Sequence, residues 1–350
     1  MDNISSSLPS KIAWITNLRV FATLTVILLH AAGNGLFAFH KLPLAQWWIC
    51  NLLNTFGRFA VPIFVMLSGY LLLPKYKELG LFLNKRLLRI CIPFLVWTII
   101  YMVWGSYFGI RTEKTPLVFS VILSKILLGG GGGSTHLWFV YMLLGIYAVT
   151  PILSRWVMNA QGKEVQYFLL IWLIINGILP ILKHFWGIST NLELRYFMGF
   201  IGYFVLGHYL ASLQININKW LWFVLFVLAW LLACWAVYQL SWSQNKFDNS
   251  LSDYLSLSVM AMSASIFLGF KAVLNIEFWP KLMAELDACS YGMYLVHILI
   301  LKTLSRQFHL NHTFYHPFVG IVLHFLACAF LSFCIVYLLR KLPKSHWLLG

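Results

Sequence analysis

Apolar runs of about 20 residues, separated by short polar stretches, recur along the whole chain. A helix of that length crosses the ~30 Å of a bilayer's hydrocarbon. The pattern predicts spans at 12–33, 47–73, 85–108, 136–154, 167–184, 196–213, 220–240, 254–274, 287–304 and 317–340. The fold expected is therefore an all-α, polytopic membrane protein with about ten transmembrane helices. The stretch 117–128 is apolar but too short to cross, and reads as interfacial or re-entrant. No polar stretch is long enough for a soluble domain, so 1–350 reads as one membrane domain, with 1–11 a short polar segment at its start. The first apolar run is not followed by a small-residue cleavage site, which fits an uncleaved helix.

Composition agrees: hydrophobic residues make up 61% of the 350 and charged residues only 10%. A soluble protein of this length needs far more charge to cover its surface. The formal charge of +15 does not point to nucleic acid, because no basic run with interleaved aromatics lies outside the spans. It is distributed as in a membrane protein. With ten spans both termini share one side, which carries 14 Lys and Arg against 9 on the other, and this predicts cytoplasmic termini. The six cysteines are scattered, mostly in apolar runs, without metal-ligand spacing.

Ionisable groups inside spans are costly unless paired or facing a cavity. The first span holds two, Arg19 and His30. Eleven residues at 100° each come within ~20° of whole turns, so both lie on one helix face, ~16 Å apart along the axis. That face is expected to point into the bundle and line a passage; the alternative is two buried side chains bonded to backbone carbonyls. A neutral imidazole can take a proton from a hydroxyl that attacks a carbonyl. Arginine stays protonated, and serves to hold phosphate or stabilise developing negative charge.

Other positions stand out. Arg86 and Arg89 share a face at the start of the third span, where two guanidinium forks suit a phosphate ligand or simply anchor the helix. In the second span Arg58 precedes Pro62 by one turn, and Ser68-Gly69, followed by Tyr70, lets a backbone or ligand approach closely. His136 and Trp138 open the fourth span, as a site or as an interfacial anchor, and His297 lies within the ninth. Asp287 and Glu285, near the start of that span, are candidate partners for Lys or Arg. Gly129–Gly133 lacks the Lys-Ser/Thr of a phosphate-binding loop and reads as a hinge. His309, His312 and His316 lack a supporting Cys or carboxylate, so no metal site is expected.

Taken in order, these segments resemble the acyltransferase-3 family of integral membrane O-acyltransferases, over nearly the whole chain. Trp14 to Arg19 followed by His30 is similar to the family's first-helix signature. Gly57 to Phe64 with Ser68-Gly69-Tyr70 resembles its second-helix motif, and Arg86-Leu87-Leu88-Arg89 its RxxR. His136-Leu137-Trp138-Phe139 with Tyr147 and Pro151 resembles a further segment, and Ser290 to His297 a late one. Among members, the short single-domain type that acetylates enterobacterial common antigen looks most similar. The resemblance implies acetyl-CoA as donor, a glycan or lipid-linked oligosaccharide as acceptor, and a place in the cell inner membrane. It implies His30 as catalytic histidine and Arg19 as its companion. Arg86 and Arg89, with Ser68 and Tyr70, would bind acyl-CoA, and Arg58, His136, Trp138 and His297 the acceptor. Many relatives carry an acid where Thr16 stands and a glycine where Val20 stands, and no acid lies in the first four predicted spans. The competing class is a transporter or flippase for a polysaccharide or lipid-linked sugar, although no internal repeat supports it.

Overall fold

The computed structural model describes residues 13–75, 79–107, 135–187, 199–214 and 218–349. The segment 117–128, the five-glycine run and the N-terminal segment lie outside the described residues. Those described are helical, without strands. In chain order they form α1 (Ala13–Leu36), α2 (Leu44–Phe56), α3 (Ala60–Leu72), α4 (Leu79–Tyr107), α5 (Trp138–Asn159), α6 (Gly162–Leu173), α7 (Leu179–Trp186), α8 (Ile201–Ser212), α9 (Lys219–Ser243), α10 (Leu257–Val273), α11 (Pro280–Gln307), α12 (Pro317–Arg340) and the short α13 (His346–Leu349).

Nine stretches among the described residues are long and apolar enough to cross a bilayer. They coincide with nine of the ten predicted spans. Helix α8, at 12 residues, covers the C-terminal part of the predicted span 196–213. The second span is a composite. A 3-10 turn at Gly57–Phe59 joins α2 to α3, and Pro62 follows in the first turn of α3, where a missing N–H is tolerated. Helix α11 begins seven residues before the predicted span and so carries Glu285 and Asp287 within it.

Two ends of the bundle are defined by contacts between connections. At one, Asn17 donates to the carbonyls of Leu274 (2.9 Å) and Ile276 (3.0 Å), and Trp97 to that of Leu348 (2.8 Å). At the other, Phe37 meets Phe247 and His40 meets Trp242. Helices α1 and α2–α3 form the centre: 61% and 67% of their spans are buried, against 28% for α9, whose outward residues face lipid. Helix α1 packs on α2, α3, α10, α11 and α12.

In hydrocarbon, helices associate through close packing rather than water exclusion. Here α3 and α8 cross backbone to backbone. A Cβ on Gly69 would collide with the main chain of Phe204, and one on Gly207 with that of Met66. This is the close approach that Ser68-Gly69 predicted. Five hydroxyls within the spans are satisfied in their own helices: Thr23, Thr25, Thr98, Thr150 and Ser263 each donate to the carbonyl four residues back. They build no polar channel, so the charged and imidazole groups at depth need a separate explanation.

Candidate functional site

A cavity of about 630 Å³ opens at the end of the bundle where Asn17 is tied. Lys75, Arg89 and Arg340 stand around it, with Arg19, Asp287 and Ser68 further in. The helix phase predicted for α1 brings Arg19 to the cavity wall. Its Nη1 lies 2.6 Å from Oδ1 of Asp287, whose side chain is only 6% exposed. Buried charges need such pairing. Glu285 pairs with Arg340 at 2.9 Å. The Ser68 hydroxyl donates to the Phe64 carbonyl at 2.8 Å and keeps its lone pairs toward the cavity.

At its inner end the cavity is closed by Phe139 and Tyr294. The hydroxyl of Tyr294 donates to the main-chain carbonyl of His136 at 2.5 Å. Behind this ring lie three imidazoles. The His30 ring is 5.2 Å from that of His297 and 6.5 Å from that of His136; His136 and His297 are 5.1 Å apart. Tyr294 packs on both of the latter, at 5.5 and 5.8 Å. His297 Nδ1 lies 2.6 Å from the Tyr294 carbonyl and so carries the hydrogen, which leaves Nε2 as a lone-pair acceptor. That Nε2 and both ring nitrogens of His136 are buried without a hydrogen-bond partner. His30 itself is only half-buried. Unpartnered nitrogens at this depth suit a ligand that brings hydroxyl groups. Among the described residues no three His, Cys, Asp or Glu side chains are placed to hold a metal ion.

Arg58 approaches from the opposite end. The break between α2 and α3 turns it inward, and it is 9% exposed. Its Nη2 donates to Asn54 Oδ1 at 3.1 Å, and Asn54 in turn donates to the carbonyl of Leu29, next to His30, at 2.8 Å. The amide oxygen of Asn249, oriented by its hydrogen-bond network, accepts from both Arg58 terminal nitrogens at 2.8 and 3.2 Å. The guanidinium lies 5.7 Å from the Tyr254 ring, against which Trp138 packs at 5.4 Å.

The fold thus brings together His30, His136 and His297, sets Arg58 and Trp138 on one flank, and gathers Arg19, Ser68 and Arg89 around the cavity. The Arg86 side chain lies outside the described residues. Tyr70 is placed elsewhere, with its ring 5.7 Å from Trp14 and off the cavity wall. Residues two positions apart on a helix differ by about 200°, so Ser68 and Tyr70 cannot both face the cavity. The passage lined by α1 is not continuous to His30, because Tyr294 and Phe139 intervene. Sequence reasoning missed that barrier, although Tyr294 lies in the late motif, and it missed Asn54 and Asn249 altogether.

A polytopic bundle with imidazoles held at depth behind a cation-rimmed cavity defines an integral membrane protein with an enzyme-like interior. Residues 12–341 match the family model Acyl_transf_3, described as an acyltransferase domain, and the chain belongs to that family of membrane acyltransferases. No curated protein and no solved structure matches it.

Proposed function

We propose that the protein is an O-acetyltransferase of the cell inner membrane, with both termini cytoplasmic. It moves an acetyl group from cytosolic acetyl-CoA to a hydroxyl of a cell-surface or lipid-linked glycan, with His30 as the base. The support is the position of His30 just beyond the closed end of a cavity whose other end is ringed by Lys75, Arg89 and Arg340. A cavity of this size is in the range of small-ligand sites. Its cations suit the phosphates of CoA, with Arg86 one turn from Arg89 on the same helix. The pantetheine arm then runs past Ser68 toward Tyr294, whose ring must turn aside before the thioester meets His30. The acceptor enters from the opposite end, held by Arg58, Trp138, His136 and His297.

In the reaction the acceptor hydroxyl gives its proton to a ring nitrogen of His30 while its oxygen bonds to the thioester carbon. The tetrahedral oxyanion collapses and the C–S bond breaks. The departing thiolate recovers the proton from the imidazolium, leaving an ester and free CoA thiol. Arg19, paired to Asp287, ties α1 to α11 and so fixes the distance between His30 and His297. Mass spectrometry of surface glycans from cells with and without the gene tests the reading. One glycan should lose an acetyl mass when the gene is absent, and unchanged glycans would overturn it.

A further inference from the structure

A second cavity, of about 390 Å³, lies on the flank of the bundle between the α6–α7 span, α9 and the start of α10. No step of the acetyl transfer uses it. Phe185, Leu232, Trp235 and Leu257 line it and are also exposed on helices whose outer faces meet hydrocarbon. Walls of that kind open sideways to the bilayer, and a ligand must enter from the lipid phase.

Two features mark a built site rather than a packing fault. The backbone between α6 and α7 adopts a π-helical turn at Ile174–Ile178, a geometry frequent at functional positions. That turn puts Asn176 in the cavity wall. Asn176 is 1% exposed; its amide nitrogen donates to the Trp172 carbonyl at 3.1 Å, while its Oδ1 is buried without a partner. A bare acceptor at membrane depth is costly and calls for a donor from a bound molecule. The rim is polar: Ser250, Asp253, Ser256 and Ser258 belong to the segment whose Asn249 and Tyr254 hold Arg58. An amphiphile with a hydrocarbon chain and a hydroxyl-bearing head matches this order of surfaces.

We infer that the flank cavity binds a glycolipid acceptor, with its hydrocarbon chain along Phe185, Leu232 and Trp235 and its sugar head between Asn176 and the serine rim beside Arg58, where a sugar hydroxyl donates to Asn176 Oδ1. The identity of the head rests on the acetyl-transfer reading above; the binding of the chain is measured without it.

The test uses the full chain in phospholipid nanodiscs and a polyprenyl-phosphate-linked hexose with a diazirine on its chain, in the absence of acetyl-CoA. Crosslinks are expected on peptides 174–186 and 229–236. Ala261→Trp places a large ring in the cavity from an exposed wall position, and should cut crosslinking at least tenfold. Asn176→Ala should cut it about threefold. Ala236→Phe fills the same cavity from α9 and stands in if the Trp variant fails to fold, as judged by its melting temperature. Unlabelled prenyl-linked hexose should compete and phosphatidylethanolamine should not. Equal competition by phosphatidylethanolamine would mean an ordinary bilayer lipid occupies the cavity, and would overturn the inference. So would crosslinking that both filling variants leave unchanged. Either failure leaves the role of His30 intact, since no acetyl transfer enters the readout.

Discussion

The hydroxyl of Tyr294 and the main-chain carbonyl of His136 are 2.5 Å apart, and this one hydrogen bond holds a phenol ring across the line from the cation-rimmed cavity to His30. Tyr294→Phe keeps the ring and removes the anchor. A neutral hydrogen bond is worth about 1 kcal/mol, or roughly fivefold in the population of a swung-out ring. Hydrolysis of acetyl-CoA in the absence of acceptor should rise by about that factor, with KM for acetyl-CoA within twofold of wild type. No rise would mean that the ring does not gate the path.

The pair of Arg19 with Asp287 joins residues 268 positions apart in sequence. Asp287→Asn leaves a neutral acceptor beside a largely sheltered guanidinium. The loss should be about 1.5–3 kcal/mol, as for hydrogen bonds to charged groups. It would be read as a lower melting temperature in detergent, with a fall in acetyl transfer. Arg19→Lys keeps the charge but loses the planar fork, and should recover only part of the loss. Wild-type stability in Asp287→Asn would show that the pair does not tie α1 to α11.

At the crossing of α3 and α8, Gly69→Ala puts a methyl group into the main chain of Phe204. Overpacking of this kind costs about 1–3 kcal/mol. Gly145→Ala is the control: nothing lies within 4 Å of its Cβ, and the helix should gain or stay neutral. The melting temperature should fall for Gly69→Ala and hold or rise for Gly145→Ala.

Arg89 lines the mouth of the cavity. Arg89→Ala should raise KM for acetyl-CoA about tenfold, equivalent to ~1.4 kcal/mol, and the effect should shrink at high salt. The same change with dephospho-CoA thioesters should be smaller. An unchanged KM would remove Arg89 from donor binding.

Much of this architecture was legible in the sequence because its signals are local. Apolar runs mark spans regardless of what they pack against. Helix phase alone put Arg19 and His30 on one face, and both do face α11, through Asp287 and His297. The same rule, applied to Ser68 and Tyr70, separates them. What could not be read depends on register between distant segments. The Arg58 arm needs Asn249 and Tyr254, nearly 200 residues on. His30 has histidines rather than a carboxylate as ring neighbours because the turn Thr135–Leu137 before α5 and the middle of α11 bring His136 and His297 to it. The closure by Tyr294 depends on a side chain reaching the carbonyl of His136, which no spacing within α11 discloses.

The role of His30 is tested most directly in the purified protein, by transfer of labelled acetyl from acetyl-CoA to extracted surface glycan. His30→Ala should abolish transfer, while the protein keeps its melting temperature and binds CoA within about twofold of wild type. Transfer at the wild-type rate by a folded His30→Ala protein would contradict the assignment of the base.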